Sequence, residues 1–428
     1  MFIKTYKTVY TKFIVCELGM RVLATARVKA VAPDPSSLYK LVEFLRAYRN
    51  WTQYVVDEIW SLRHIPSMRE LHHRFYKILR KQGFRAHHCH KIERRAREVV
   101  KAVKKNNGSK PVLRKLTARL DYQDYKLDII NKTVRIAVLN GEWIELRLQW
   151  YSYLDRYFNN SWKLKEILVS YRDNEIWVYL AFEKEVVLKK PRTVMGIDIN
   201  FSNITYTIID MNGRLITMGT IPFNGLKRAL AHRIISEKIM SKYPRKWRYV
   251  KGIKEVIRRH GRRARNILID SCHYISRGIV EIAREYDALI VLEDLNKLKN
   301  RVNGSRRFNK KLMLWAYRRI QAYIHYKALI EGLDVVYVDP RGTSKTSPLG
   351  GELSFINYRW TRLSNGYIIT RDLIASWNLA LRGLNQFTRD VGLCGFVGAL
   401  NAPDQMQPQE GMKGKPVQVS IISKIPKI

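Results

Sequence analysis

The chain has 428 residues, of which 46% are hydrophobic and 11% aromatic, so it fits globular domains with real cores and not a disordered chain. Lys and Arg number 78 against 37 Asp and Glu, a formal net charge of +41. A charge of that size predicts a polyanionic partner, and nucleic acid is the first candidate. We find no apolar run near ~18 residues, no lipidation motif and no signal-peptide core. We therefore expect a cytoplasmic, nucleoid-associated protein that does not bind membranes.

The spacing of the cysteines and histidines does not indicate a metal site. The four cysteines are scattered and form no Cys-x-x-Cys pair: Cys16, Cys89, Cys272 and Cys394. They predict neither a disulfide framework nor a four-thiolate zinc site. Residues 87–90 read His-His-Cys-His. Adjacent helical positions point in different directions, so one ion could not use all four, and we favour phosphate contacts from a basic helix.

The N-terminal third combines strands with three helices. Residues 1–30 alternate apolar and polar side chains, which predicts a hairpin that turns near residues 18–19. Apolar residues at three-to-four spacing then predict helices over residues 38–62, 68–79 and 88–104. Ser37 lies in the N-cap region of the first of them.

Strand character returns between residues 112 and 189. Segments 134–139 and 143–148 flank Asn140-Gly141, which predicts a hairpin with a type I′ turn. Segments 164–171 and 176–183 predict a second hairpin. Together with residues 1–30 these strands suggest a β-barrel-like module with a helical insertion, and two separate small domains are the alternative.

The stretch at residues 194–200 is a short apolar strand with one carboxylate, Asp198, inside it. A buried carboxylate needs a partner, and a bound cation is one candidate. The alternative is that Asp198 merely ends the strand in a turn. Strands at residues 201–210 and 215–221, joined by Asn212-Gly213, complete a predicted hairpin.

Residues 226–266 follow as a helical region in which Lys and Arg greatly outnumber the two acids, Glu237 and Glu255. Such one-sided charge argues against mutual salt bridges and for a surface that follows a nucleic-acid backbone. A solvated helix face is the alternative. The candidate contact residues are Lys227, Arg228, Lys246, Arg248, Arg258, Arg259, Arg262 and Arg263.

Two further acids lie at defined positions in predicted strands and helices. A buried strand at residues 288–295 carries Glu293 near its carboxyl end, where sites gather in open α/β sheets. A helix over residues 311–331 and a strand at 335–338 follow. Asp372 lies in the first turn of a helix that starts at residue 371, where a carboxylate also suits the helix dipole. A hairpin, then strand, helix, strand and helix is the order of an RNase H-like core.

Three acids in such a core have a chemical use. Phosphodiester cleavage by two divalent ions needs one carboxylate that bridges both ions and others that fix each of them. Hard oxygen ligands select Mg²⁺ or Mn²⁺. Asp198, Glu293 and Asp372 are therefore the candidate catalytic and metal-binding residues.

The motifs around these acids resemble those of a known family. Residues 195–198 (Met-Gly-Ile-Asp), 292–295 (Leu-Glu-Asp-Leu) and 371–378 (Arg-Asp-Leu-Ile-Ala-Ser-Trp-Asn) are similar to the three RuvC motifs of TnpB/OrfB proteins. Those are transposon-encoded RNA-guided nucleases, similar to type V CRISPR effectors. The resemblance covers roughly residues 1–385. It implies a Mg²⁺-dependent DNA endonuclease of a mobile element, with a guide RNA and a double-stranded DNA target as partners.

The resemblance also implies a division of the chain. Residues 1–35 and 111–190 would form the β-barrel-like wedge module, and residues 36–110 the helical recognition insertion. Residues 191–341 and 371–385 would form the mixed α/β, RNase H-like (RuvC) nuclease domain. Residues 342–370 would form a zinc-ribbon-like insertion, and residues 386–428 a flexible tail.

One departure from the family concerns this ribbon. The family usually carries two Cys-x-x-Cys pairs, and by eye their places are taken here by Ser347, Gly350, Arg362 and Asn365. None of these is a zinc ligand. We predict a degenerate ribbon whose shape survives without zinc. The loss also motivates two alternatives to the nuclease: an inactive RNA-guided DNA-binding repressor, and a RuvC-like nuclease that uses no guide.

Overall fold

A computed structural model describes residues 20–159, 161–294, 316–390 and 420–421. The chain forms two compact units, residues 21–185 and residues from 186 onward. Within the described residues, no helix is both long and apolar enough to cross a membrane. The first arm of the predicted N-terminal hairpin, residues 1–19, lies outside the described residues, as do residues 401–418 of the predicted tail.

The first unit consists of three helices and a seven-stranded sheet. The helices are α1 (Pro35–Ser61), α2 (Met68–Lys81) and α3 (Ala86–Lys105). The strands are β1 (Met20–Val31), β2 (Leu116–Asp121), β3 (Tyr125–Asp128), β4 (Thr133–Ala137), β5 (Trp143–Leu148), β6 (Lys163–Arg172) and β7 (Glu175–Val186). Their order across the sheet is β2-β6-β7-β1-β5-β4-β3, which leaves β2 and β3 at its edges among the described strands. Strands from before and after the helices thus share one sheet.

The two hairpin turns predicted between residues 112 and 189 are confirmed. Asn140 and Gly141 have φ values of 55° and 77°, and Asp173 and Asn174 have 51° and 60°. Positive φ at both central residues is what a type I′ turn requires, and its twist matches that of the flanking strands. These turns set the registers β4–β5 and β6–β7 and so decide which side chains enter the core.

The three helices lie where the periodicity predicts, with one correction at the first cap. Asp34, not Ser37, caps α1, and its Oδ1 accepts a hydrogen bond of 2.9 Å from the Ser37 backbone N–H. The helices contribute buried side chains such as Phe44, Phe75 and Ile92 to a single core shared with the sheet. His88 and Cys89 of α3 are fully buried, so the predicted phosphate contact is wrong for these two residues.

The second unit is organised around a six-stranded sheet. Its strands are β8 (Thr193–Ile199), β9 (Asn203–Asp210), β10 (Leu215–Pro222), β11 (Ala288–Glu293), β12 (Val335–Val338) and β16 (Ser420–Ile421). The order is β12-β11-β8-β9-β10-β16. Strands β8, β9 and β10 are antiparallel neighbours, whereas β11 and β12 run parallel to β8. The predicted hairpin and strand–helix–strand order are therefore confirmed at the level of secondary structure.

Four described helices accompany this sheet: α4 (Gly225–Lys242), α5 (Lys251–Glu285), α6 (Tyr317–Ile330) and α7 (Arg371–Asp390). Apolar side chains of α5 and α6 join one core with β8, and those of α7 form a second core with β8 and β11. The sheet is thus covered by apolar helix faces in two separate clusters, as a sheet with two apolar faces requires. The first part of the predicted helix over 311–331 lies outside the described residues.

The predicted tail from residue 386 needs a correction in two places. Helix α7 continues to Asp390, with Leu384 and Phe387 packed against the apolar cluster. Ser420–Ile421 pairs in parallel with Gly219 and Thr220 at the edge of the sheet. Those parts of the tail therefore have regular structure.

A small three-stranded antiparallel sheet occupies the segment predicted as a ribbon. It contains β13 (Ser354–Phe355), β14 (Trp360–Arg362) and β15 (Ile368–Thr370). Leu349, Leu353 and Leu363 pack against the core beneath α7. This insertion therefore folds onto the sheet through apolar contacts.

Candidate active site and basic groove

Three elements meet at the candidate catalytic acids. Asp198 is the sixth residue of β8, and Glu293 is the last residue of β11. The two strands are parallel neighbours, and Leu292 pairs with Ile197, so the next step along each strand brings Glu293 beside Asp198. Carboxyl ends of parallel strands share one edge of the sheet, which is where the sequence placed the site.

Asp372 reaches the same edge from helix α7. Thr205 of β9 pairs with Asp198, and its hydroxyl donates a 3.1 Å hydrogen bond to the backbone carbonyl of Asp372. Two residues along, Thr207 and Ser376 share a 2.7 Å hydroxyl contact. These bonds fix the first turn of α7 over the β8–β9 pair, so the structure brings all three predicted acids together. We call Asp198, Glu293 and Asp372 the three-acid site.

A glycine in β8 permits this close approach. A Cβ atom on Gly196 would lie 2.0 Å from the backbone oxygen of Ser376 and 2.4 Å from the backbone nitrogen of Ala380. A single backbone atom of a helix cannot move aside without displacing its neighbours. Glycine is therefore the residue that fits at this position. The close packing of α7 on β8 places Asp372 within reach of the strand-borne acids.

The three acids are close enough to repel one another, and they lie where water has little access. Burial, then the charge of Asp372, raises the pKa of Asp198 to about 7, and a 2.8 Å hydrogen bond from Asn200 opposes that shift. Burial, then Asp198, raises the pKa of Glu293 to about 8. Both shifts have the sign expected when carboxylates are crowded without a compensating cation. The donors are all hard oxygens, so the site suits Mg²⁺ or Mn²⁺.

Several residues that support the site were missed in the sequence. Asn200 donates to Asp198, and the Gln321 amide donates a 2.8 Å hydrogen bond to the Glu293 carbonyl. The Asn378 amide donates to the carbonyls of Thr343 and Thr346 at 2.7 and 2.8 Å, which ties the loop after β12 to α7. Asn378 belongs to the third quoted motif, so its side chain was available as a signal. The role of Gln321 could not be predicted, because its partner is a backbone carbonyl and leaves no pattern in the sequence.

The candidate nucleic-acid residues are all exposed, along α4, α5 and the short 3₁₀ turn Lys246–Arg248 between them. Within the part of the chain that the structure describes, one of these eight residues forms an ion pair, Arg262 with Glu255. An open groove of about 720 Å³ lies between the two helices. Its lining includes Arg228, His232, Arg259, Arg262, Arg263, Asn266 and Asp270. We call this the α4–α5 groove; it collects four of the eight predicted cations, while Lys227, Lys246, Arg248 and Arg258 do not line it.

The four positions that we predict to stand in place of the usual cysteines lie in two short segments, residues 347–350 and 362–365. The backbone N–H of Gly350 donates to the Ser347 carbonyl at 3.3 Å, and Asn365 accepts from the Tyr367 N–H at 3.3 Å. The Ser364 hydroxyl donates to the Gly350 carbonyl at 3.4 Å and so connects the two segments. Arg362, the fourth position, is exposed at the end of β14.

Comparison with known proteins identifies the family of this chain. A TnpB-like protein of Methanocaldococcus jannaschii is 33% identical over 233 residues, which cover 53% of this chain and 81% of that protein. The chain belongs to the TnpB-like family. A TnpB-like protein of Aquifex aeolicus is 25% identical over 240 residues, covering 50% of this chain and 76% of its own. The family resemblance drawn from the three acid motifs is thereby confirmed.

Two further comparisons concern parts of this TnpB-like chain and its fold. Residues 317–379 match the family described as Cas12f1-like, TNB domain. The fold resembles that of Cas12f1, solved by cryo-EM in a complex with sgRNA and target DNA, with a TM-score of 0.61 and 14% identity over 81% of this chain and 82% of that one. The predicted mixed α/β class is confirmed.

Proposed function

We propose that this protein is an RNA-guided DNA endonuclease of a mobile element. The observation that carries the proposal is the convergence of Asp198, Glu293 and Asp372 in a TnpB-like chain. The relatives add support, since a Cas12f2 of a Micrarchaeota archaeon that is 26% identical over 212 residues (46% of this chain and 36% of its own) is named an endodeoxyribonuclease. The antiparallel β8–β10 followed by parallel β11 and β12 supports an RNase H-like (RuvC) core.

The side chains fit a pair of divalent ions. The charge of Asp372 raises the pKa of Asp198, and the charge of Asp198 raises the pKa of Glu293. These three carboxylates would therefore hold the ions together, with Asp198 as the shared ligand. Two Mg²⁺ ions bound there would supply activation of the attacking water and stabilisation of the leaving oxygen. Asn200 orients the Asp198 carboxylate, and Thr205 and Ser376 hold the first turn of α7 in place.

The remaining parts would bind the nucleic acids. The α4–α5 groove and its neighbouring cations would neutralise phosphates of a guide RNA or of DNA, since exposed Arg and Lys supply most sequence-independent affinity. The first unit would recognise the sequence that flanks the target and hold the heteroduplex, while base pairing would read the target. The insertion at residues 342–370 would keep a ribbon's shape without its zinc.

The test is cleavage by the full-length chain bound to the RNA that copurifies with it. We expect cleavage of a guide-matched duplex with Mg²⁺ and none with EDTA. Asp198→Ala should bind the same duplex without cutting it. Binding without cutting by the wild type would favour the inactive repressor, which the altered ribbon motivates. Cutting without RNA would favour a guide-independent nuclease, and unchanged cutting by Asp198→Ala would refute the site.

A further inference from the structure

A second group of metal-ligating side chains lies in the first unit, between helices α2 and α3. His72 comes from α2, and His90 and Glu93 come from α3, three residues apart on one face. One ligand atom from each lies within 4.8 Å of the others. His72 Nδ1 is 3.3 Å and His90 Nδ1 is 3.9 Å from Glu93 Oε2. Two ligands of a tetrahedral zinc ion, with bonds of ~2.0–2.1 Å, stand roughly 3.3 Å apart.

Glu93 is the most deeply buried member of this cluster. Its side chain is fully buried, and its Oε1 is a buried acceptor without a hydrogen-bond partner among the described residues. Arg97, one turn further along α3, donates instead to the Pro66 carbonyl at 2.7 Å. Within the part of the chain that the structure describes, the ion-pair contacts of Glu93 are with the two imidazoles. A buried carboxylate with one orphaned oxygen is costly unless a charge or a donor compensates it.

The two imidazoles are also unusually placed. The rings of His72 and His90 stack with centroids 4.4 Å apart and planes 4° from parallel. A simple His72–Glu93 hydrogen bond would account for one histidine and one carboxylate oxygen, and it would leave His90 and Oε1 unexplained. The side chains of His72 and His90 are 36% and 54% exposed, so both rings have room to turn toward a shared ion and leave a position open to water.

We propose that His72, His90 and Glu93 bind one Zn²⁺ ion that clamps α2 to α3. Two imidazole nitrogens and one carboxylate oxygen suit zinc and do not suit Mg²⁺, which prefers oxygen ligands. Residues 87–90 still cannot bind one ion together, because His87 and His88 face Asp121 and Asp124, and His90 alone of these three histidines faces Glu93. The partner histidine comes from another helix, which is why the local spacing did not show the site.

The test is zinc titration of the full-length protein in millimolar Mg²⁺, which competes for the three-acid site. Binding would be followed by calorimetry and by the melting temperature. We expect one zinc per chain and a higher melting temperature for the wild type and for His73→Ala, a matched control at an exposed neighbouring histidine of α2. His90→Ala and Glu93→Gln should each weaken zinc binding at least about tenfold, since even outer contacts to a metal site are worth that much.

Circular dichroism in EDTA checks that the variants remain folded, which the exposure of His90 favours. Co²⁺ gives a second readout, because its visible absorption band should appear in the wild type and in His73→Ala only. No zinc response in the wild type would overturn the proposal. So would an equal affinity in the wild type, His73→Ala and His90→Ala, which would place the ion elsewhere. Neither result bears on DNA cleavage by the three-acid site.

Discussion

The three-acid site and the insertion at residues 342–370 lie in the same unit, yet they depend on their ligating side chains in different ways. The acids on β8, β11 and α7 meet at one edge of the sheet, as the proposed metal-dependent cleavage requires. The insertion has Ser347, Gly350, Arg362 and Asn365 where we predict the family's thiolates, and it forms two turns and a small sheet. In our proposal, metal ligands are present in the first region and absent from the second.

The difference follows from what each set of ligands would do. Hydrogen bonds and apolar packing can hold turns in place, and here Leu363 and the Ser364–Gly350 bond join the two turns to each other and to the core. No packing interaction can replace a carboxylate that binds a catalytic ion. A structural metal can therefore be exchanged for packing, whereas a catalytic metal cannot.

The largest effect should come from Glu293. Glu293→Gln keeps the size of the side chain and removes the charge that would fix an ion, so we expect cleavage to fall at least about 10³-fold, as loss of several kcal/mol of transition-state stabilisation implies. Its exposed neighbour Asp294 provides the control, and Asp294→Asn should keep cleavage within a fewfold of the wild type. Single-turnover cleavage rates make the comparison, and equal losses in both variants would contradict the site assignment.

The next effect tests the packing that assembles the site. Gly196→Ala drives a Cβ into the backbone of Ser376 and Ala380, so it should lower the free energy of unfolding by about 3 kcal/mol or more. Gly261→Ala is the control, since a Cβ there meets nothing within 4 Å and should raise helix stability by ~0.5–1 kcal/mol. Urea unfolding measures both, and similar midpoints would show that α7 does not rest on Gly196.

A smaller effect should appear as a pH dependence without metal. The folded-state pKa values of Asp198 and Glu293, about 7 and about 8, lie above the ordinary carboxyl range. Their contribution to stability is therefore full below about pH 4 and is lost as the pH rises through 7 to 8. The melting temperature in EDTA should fall over that range, and Mg²⁺ should raise it more at pH 8 than at pH 6. Asp198→Asn should flatten both trends; an unchanged trend would assign them to other groups.

The sequence predicted those parts of the fold and of the site whose signals are local. Asp198 stood out as an acid inside an apolar strand, and Asn140-Gly141 specified its turn through backbone conformation alone. The role of Gly196 was not predictable, because its reason is an atom of α7 that lies far along the chain. His72 was missed in the same way, since its partners lie on another helix. Ser37 was mistaken for a cap because Asp34 stands only three residues before it and offers the same kind of acceptor.

The smallest effect should come from the hydrogen bond that links the two turns of the insertion. Ser364→Ala removes an exposed 3.4 Å bond to the Gly350 carbonyl, so it should cost less than about 1 kcal/mol. Leu363→Ala removes buried apolar contacts and should cost about 2–5 kcal/mol if packing has taken the place of the metal. Urea unfolding compares the two. A tightly held zinc in chains that carry His90→Ala would contradict this account, because an ion in the insertion would then hold the turns that we attribute to packing.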